Sequence, residues 1–244
     1  MIATEFLQGL ITNDMDLVTH DCAIYAALLT PQGKNLHDFF VMGVNGGFHL
    51  DCEIQRRQDL IACLSRYRLR AQVDFRDTGQ EFEIFALTGS DVICRLGING
   101  EEGSIASFAG GRVYNDPRSL ALGARAYLPA NTGEQSLLEA RFKKGELARY
   151  DAHRFSLGIS DSAPEIEPEK FYPMEYGLDR LNGVSFSKGY YVGQEVTVRM
   201  KNRDLARKCL VSVKIEGGPP AIGTQMNLEA LMPASCAASR AMWD

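Results

Sequence analysis

Apolar and polar positions follow two periods along this chain. Residues 4–13 set Phe6, Leu7, Leu10 and Ile11 on one helical face, with Thr4 as a cap, and predict a helix. Residues 22–30 and 36–44 predict two strands around Pro31-Gln32-Gly33-Lys34, whose Pro and Gly are turn residues, so a hairpin is expected. Asn45-Gly46-Gly47 predicts a second tight turn into residues 48–51. Residues 54–69 return to helical spacing, with Ile54, Leu60, Ile61, Leu64 and Tyr67 inside and Arg56, Arg57, Asp59 and Arg66 outside.

Residues 72–76 and 81–87 alternate as strands, 91–96 read as a short helix, and 123–128 read as another strand. A long helical stretch is expected over 134–155, then a proline-rich joint at 162–173. Strand patterns return at 195–200 and 209–215, followed by a sharp Gly217-Gly218-Pro219-Pro220 turn. Helices and strands mix without regular βαβ alternation, so the expected class is α+β.

Composition narrows the function classes. In 244 residues, 45% are apolar and the net charge is only −5, which excludes disorder as the main state. No apolar run approaches the ~20 residues of a membrane span, and no basic secretory n-region precedes Glu5. A cytoplasmic protein with no membrane partner is therefore expected. The six cysteines form no C-x-x-C pair, and none lies near a histidine at zinc spacing. The four histidines, His20, His37, His49 and His153, are scattered, so free thiols and no metal site are expected. Phosphate-binding, dinucleotide-binding, serine-hydrolase and H-E-x-x-H templates all fail.

One segment stands apart: Ser187-Lys188-Gly189-Tyr190-Tyr191-Val192-Gly193-Gln194-Glu195-Val196-Thr197-Val198-Arg199. Two glycines bracket two tyrosines, and six basic residues face two acidic ones between Lys188 and Lys208. The pattern alone fits a glycine-rich turn leading into a basic solvated strand. A loop that takes flat aromatic or carboxylate ligands through stacking and charge pairing is the second reading of the pattern. The acidic whole and the lack of aromatics within 199–208 argue against a general nucleic-acid surface.

Lys188–Glu195 resembles the K-G-C-[FY]-x-G-Q-E signature of the YgfZ-type folate-binding proteins, in the superfamily of the glycine cleavage T-protein (aminomethyltransferase). Phe6-Leu7-Gln8-Gly9-Leu10-Ile11-Thr12-Asn13-Asp14 resembles the family's opening, and Leu28-Leu29-Thr30-Pro31-Gln32-Gly33-Lys34 with Asp38 its hairpin. Asp116-Pro117-Arg118 with Leu122-Gly123 and Arg125 resembles its D-P-R…L-G-x-R segment, and 171–186 fits the approach to the signature. The resemblance implies three small domains in a ring around a central folate-binding opening. These are 1–40 with 112–194, an inserted 41–111, and a short, incomplete β-barrel-like domain at 195–244. Against the family pattern, both the segment before Phe6 and the end after Lys208 are expected to be short.

The implied function is a tetrahydrofolate-binding accessory role, with that cofactor or a one-carbon derivative, in assembly or repair of iron–sulfur proteins. Iron–sulfur client or assembly proteins are then partners. The alternatives are a folate-dependent aminomethyl or one-carbon transferase of the T-protein type and a tRNA-modification-associated protein. The folate-binding residues implied are Asn13, Asp116, Arg118, Glu175, Lys188, Gly189, Tyr190, Tyr191, Gln194, Glu195 and Arg199. Asn13 either caps the first helix or faces the ligand. Asp116 and Arg118 suit an ion pair across a domain joint, and Glu175 suits the donors of a pterin ring. Lys188 and Arg199 suit an anionic glutamyl tail. Tyr190 and Tyr191 either wall the pocket or pack, and Gln194 and Glu195 either bond the pterin or brace the loop. The signature cysteine is Tyr190 here, so no catalytic residue is assigned. A phenol with a pKa near 10 does not replace a thiolate at neutral pH.

Overall fold

The computed structural model describes residues 2–161, 165–203 and 208–213, with Gly217 and Thr224. Residues 1–212 form one compact unit and 213–244 a second. The first unit is α+β with two antiparallel sheets. One sheet holds β1 (Ile24–Leu29), β2 (Asn35–Val44) and β3 (Gly47–Cys52) in that order. The other holds β4 (Phe82–Leu87), β7 (Ala124–Pro129), β6 (Gly111–Asn115) and β5 (Ile105–Phe108). Among the described residues the α-helices are α1 (Ile2–Gln8), α2 (Arg57–Arg68), α3 (Val92–Leu96), α4 (Gly133–Glu139), α5 (Leu147–Ser156) and α6 (Gln194–Arg203).

Strand alternation sorts the core into layers. Ile24, Ala26 and Leu28 of β1, with Phe39 and Val41 of β2, pack toward Leu7 and Leu10 near α1 and Leu60, Cys63 and Leu64 of α2. The opposite faces give Tyr25, Ala27, Leu29, Phe40 and Met42 to a second cluster. Tyr114 of β6 and Tyr127 of β7 join that cluster from the other sheet. Val113, Ala124, Ala126 and Leu128 turn away and pack with α3 and α4. The layer shared by both sheets is therefore built from alternate residues of four strands.

Several sequence expectations are corrected. Residues 195–200 belong to helix α6, not a strand: Thr197 and Met200 are its buried positions, three apart, and this spacing outweighs the β-branched run. Residues 72–76 are not a strand; their charged side chains instead form surface pairs, Arg68–Asp74 and Arg76–Glu81. The helix expected over 134–155 is two, α4 and α5, with a break where Arg141 adopts φ 65°. Residues 208–213 are irregular, and 230–244 and most of 217–220 lie outside the described residues. Strand β2 runs through residue 40, and β6, which starts at Gly111, pairs with both β5 and β7 in the second sheet.

The β1–β2 hairpin closes as expected, with Thr30 and Lys34 paired through N–H···O at 2.8 Å. Its Gly33 has φ 78°, and a Cβ there would meet Val196 Cβ at 2.8 Å. Gly193 has φ 82°, and a Cβ would meet the Thr30 carbonyl oxygen at 2.7 Å and Gly33 Cα at 3.0 Å. Two glycines thus let the hairpin tip and the signature loop touch backbone to backbone. Gly193→Ala is both strained and blocked by backbone. It should cost about 1–3 kcal/mol and lower the melting temperature by roughly 2–4 °C for each kcal/mol lost. A thermal melt by circular dichroism that matches wild type would disprove the contact.

Candidate functional site

The signature loop is split between inside and outside. Lys188 is buried, and its ammonium donates to the carbonyls of Ile11 at 2.9 Å and Asn13 at 2.7 Å. It lies 5.1 Å from the Tyr191 ring centroid. Burial lowers its pKa to about 8, while Asp14 and Asp16 pull the other way. Tyr191 is fully buried, and burial raises its phenol to about 12. Gln194 braces the loop by donating to the Gly189 carbonyl at 3.3 Å. Gly189, Tyr190, Glu195 and Arg199 face solvent, Tyr190 with 71% of its surface exposed. Of the two cations expected on a glutamyl tail, Lys188 is committed to backbone carbonyls and Arg199 stands on the outer face of α6.

The same clamp explains Asn13. Its amide donates to the Tyr25 carbonyl at 2.8 Å and the Asn182 carbonyl at 2.7 Å, and its oxygen accepts from Asp14 N–H at 2.8 Å. Asn182 in turn donates to the Pro117 carbonyl at 3.0 Å. This chain of bonds ties the turn after α1 to the Asp116-Pro117-Arg118 segment. Glu175 sits in the 3-10 turn Pro173–Glu175, where its carboxylate accepts Tyr172 N–H at 2.9 Å. That carboxylate is engaged by its own turn. The sequence-selected residues therefore form two groups, Asn13–Lys188–Tyr191 and Asp116–Arg118, with Glu175 and the exposed loop residues apart from both.

Between the sheets lies a polar layer that the sequence reading largely missed. Arg118 donates from Nε to Asp116 Oδ1 at 3.0 Å and from Nη2 to Asp116 Oδ2 at 2.9 Å, with neither side chain accessible. Its Nη2 also reaches the Tyr150 hydroxyl at 3.2 Å, and its guanidinium lies over Phe40 and Tyr25. Burial opposes the Arg118 charge, yet Asp116 outweighs it and holds the group fully protonated. Arg125 donates to Asp51 at 2.6 and 2.9 Å, and Tyr114 donates to the same carboxylate at 3.0 Å. Tyr25 donates to Asp38, and Tyr176 donates to Asn35 at 2.9 Å. Burial pushes the phenols of Tyr25 and Tyr176 well above their ordinary range, with Asp38 adding to both. Asn35 Nδ2 and Arg118 Nη1 are buried donors with no hydrogen-bond partner among the described residues.

Charged and aromatic residues on alternate strand positions were the available signal for this layer. Tyr25, Asp38, Phe40, Tyr114 and Arg125 all interrupt or share apolar strand faces. A separate cleft of about 510 Å³ opens between the hairpin tip, α2 and residues 168–169.

No protein-family model matches the chain. Curated relatives do. The human "Iron-sulfur cluster assembly factor IBA57, mitochondrial" is 30% identical over 235 residues, 91% of this chain and 64% of that protein. The mouse protein of the same name is 31% identical over 237 residues, again 91% and 64%. The Neurospora crassa homologue is 29% identical over 90% of this chain and 52% of its own length. The chain thus spans between about half and two thirds of these relatives. A glycine cleavage system aminomethyltransferase T from Bartonella henselae matches in structure with TM-score 0.62 at 18% identity, over 82% of this chain and 58% of that one. That likeness establishes the fold. The cytoplasmic expectation is overturned, because these relatives are named mitochondrial. Absence of a secretory n-region carries no information about a mitochondrial address, whose signal is of a different kind.

Two measurements test the buried charges. Asp116→Ala leaves Arg118 uncompensated and should cost about 3–5 kcal/mol in urea unfolding, whereas the double variant Asp116→Ala/Arg118→Met should recover part of that loss. A single-variant cost below about 1 kcal/mol would rank the pair with surface salt bridges. Lys188 titrates near 8 when folded against 10.5 in the unfolded chain. The unfolded state therefore binds more protons in that window, and this group's contribution to stability rises with pH there. The stability gap between wild type and Lys188→Met should widen from pH 8 to 10.5; a constant gap would show that the ammonium is solvated.

Proposed function

We propose that this chain, similar over 91% of its length to the IBA57 assembly factors and sharing the fold of a glycine cleavage T-protein, is a folate-binding accessory factor acting in assembly or repair of iron–sulfur proteins in mitochondria. The observation that carries the reading is alignment over 91% of this chain with a relative named for iron–sulfur cluster assembly. Its partners are then iron–sulfur client or assembly proteins. A ring of three small domains is the arrangement proposed for the folate opening.

The polar layer fits a reduced pterin in its donor set. Asp38 supplies a buried carboxylate for ring N–H groups, and Asn35 Nδ2 and Arg118 Nη1 supply unpartnered donors for ring acceptors. Tyr25, Phe40 and Tyr176 supply aromatic walls. When bound, tetrahydrofolate offers reduced ring nitrogens that carry one-carbon units. The protein's part is to orient the ring and keep water from it. Aminomethyl transfer is the second reading, favoured by the T-protein fold alone.

Tyr190 bears on the choice between a loop that shapes a site and one that works through a thiol. The ring is 71% exposed, and no cysteine lies between Lys188 and Lys208. We assign the loop a shaping role: Gly193 seats it on the hairpin and Lys188 ties it to the turn after α1.

Calorimetric titration with tetrahydrofolate, against folic acid as control, should give saturable binding that Asp38→Asn weakens about tenfold or more, as expected for loss of a charged acceptor. Absence of binding would remove folate from the proposal. In cells lacking their own IBA57, the wild-type chain and Tyr190→Cys should restore an iron–sulfur enzyme's activity equally. Rescue by Tyr190→Cys alone would overturn the shaping role, and failure of both would overturn the assembly role.

A further inference from the structure

Strand β2 and helix α2 bring together three side chains of metal-ligating type. His37 is buried on β2, and α2 carries Asp59 and Cys63 four residues apart, hence on one face. His37 Nε2 lies 3.1 Å from Asp59 Oδ2, and one ligand atom from each of the three residues lies within 4.8 Å of the others. Asp59 and Cys63 also line the 510 Å³ cleft, along with Thr30, Gln32, Arg56 and Arg66. We propose that His37, Asp59 and Cys63 form a three-ligand site for a divalent transition metal of the zinc type, with its fourth position open to this cleft.

The donor set chooses the ion. A thiolate and an imidazole disfavour magnesium and calcium, while thiolate, imidazole and carboxylate together suit zinc. Three protein ligands with a fourth position left open make a reactive rather than a closed structural arrangement. Metal–ligand bonds of about 2.0–2.3 Å put tetrahedral ligand atoms roughly 3.3–3.8 Å apart. Closure from the observed spacing therefore takes about 1 Å of side-chain movement, and the cleft provides the entry path.

The protonation states agree with a ligand role. Burial, reinforced by Arg56, lowers His37 to about 4 despite Asp59, so the ring is neutral and keeps a lone pair. Burial, then Asp59, raises the Cys63 thiol. A thiol so held is a poor nucleophile, which sets aside a Cys–His catalytic pair. A divalent ion reverses that preference: it binds sulfur, and the thiol proton leaves to solvent through the cleft. Thiolate and carboxylate then balance the ion's two charges. Arg56 donates to the Leu36 carbonyl at 2.6 Å and to Asp59 Oδ2 at 3.1 Å. It can hold one carboxylate oxygen while the ion takes the other, as outer partners of metal carboxylates do. The site is independent of the folate reading.

The test uses chelator-treated protein titrated with Co²⁺ and followed by absorption, then challenged with Zn²⁺. One equivalent of Co²⁺ should produce a thiolate-to-cobalt charge-transfer band that Zn²⁺ abolishes. Cys63→Ser should remove the band, and Asp59→Asn, on the exposed side of the cluster, should weaken Co²⁺ at least about tenfold with an unchanged circular dichroism spectrum. Absence of the band, its survival in Cys63→Ser, or unaltered affinity in Asp59→Asn would overturn the site. Asp59→Asn keeps the test decisive if Cys63→Ser, in the core, does not fold.

Discussion

The close approach of Gly33 and Gly193 is the constraint on which the arrangement of the signature loop depends. Cβ positions on both residues are filled by the opposing segment, so the loop that starts α6 lies directly on the β1–β2 hairpin tip. Lys188 then anchors the other end of the loop to the Ile11 and Asn13 carbonyls. A backbone contact and a buried ammonium together hold three segments that are far apart in sequence. The cation is tolerated without a facing carboxylate because two carbonyl dipoles solvate it and Asp14 and Asp16 lie near enough to favour its charge.

This anchoring gives the loop's residues unequal roles. Lys188 and Tyr191 are structural members of the interior, whereas Tyr190, Glu195 and Arg199 form an outer face. A tyrosine at position 190 is compatible with this geometry because the side chain is mostly exposed and makes little demand on packing. The chemistry of a thiol is absent from the loop, and the scaffold that presents it remains.

The interior layer is unusual in its density of charge. Two arginines and three carboxylates lie between sheets whose other faces are apolar. Buried ion pairs of this kind add little net stability over apolar replacements, because desolvation consumes most of the Coulomb gain. Their effect is to fix donors and acceptors rigidly. Asn35 and Arg118 each retain a buried donor beyond those needed by their protein partners.

Local pattern was enough to determine the β1–β2–β3 hairpins, the α2 helix and the α+β class, since period and turn chemistry are properties of adjacent residues. The ordered motifs also pointed to the superfamily, and with it to the fold. Residues 195–200 misled, because β-branched residues at alternate positions read as a strand until burial of Thr197 and Met200 selected the helical period. Asp116 with Arg118 was legible as a pair because the two are neighbours in the chain. The remaining members of the layer, Asp38, Asp51, Tyr114 and Arg125, acquire their partners only through sheet register and the packing of one sheet on the other. The grouping of His37 with Asp59 and Cys63 has the same origin: the chain supplies an i, i+4 pair on a helix, and only tertiary packing delivers the histidine. Sequence thus fixed which residue types were available, and long-range packing decided which of them met, because contact across sheets is governed by register and burial rather than by spacing along the chain.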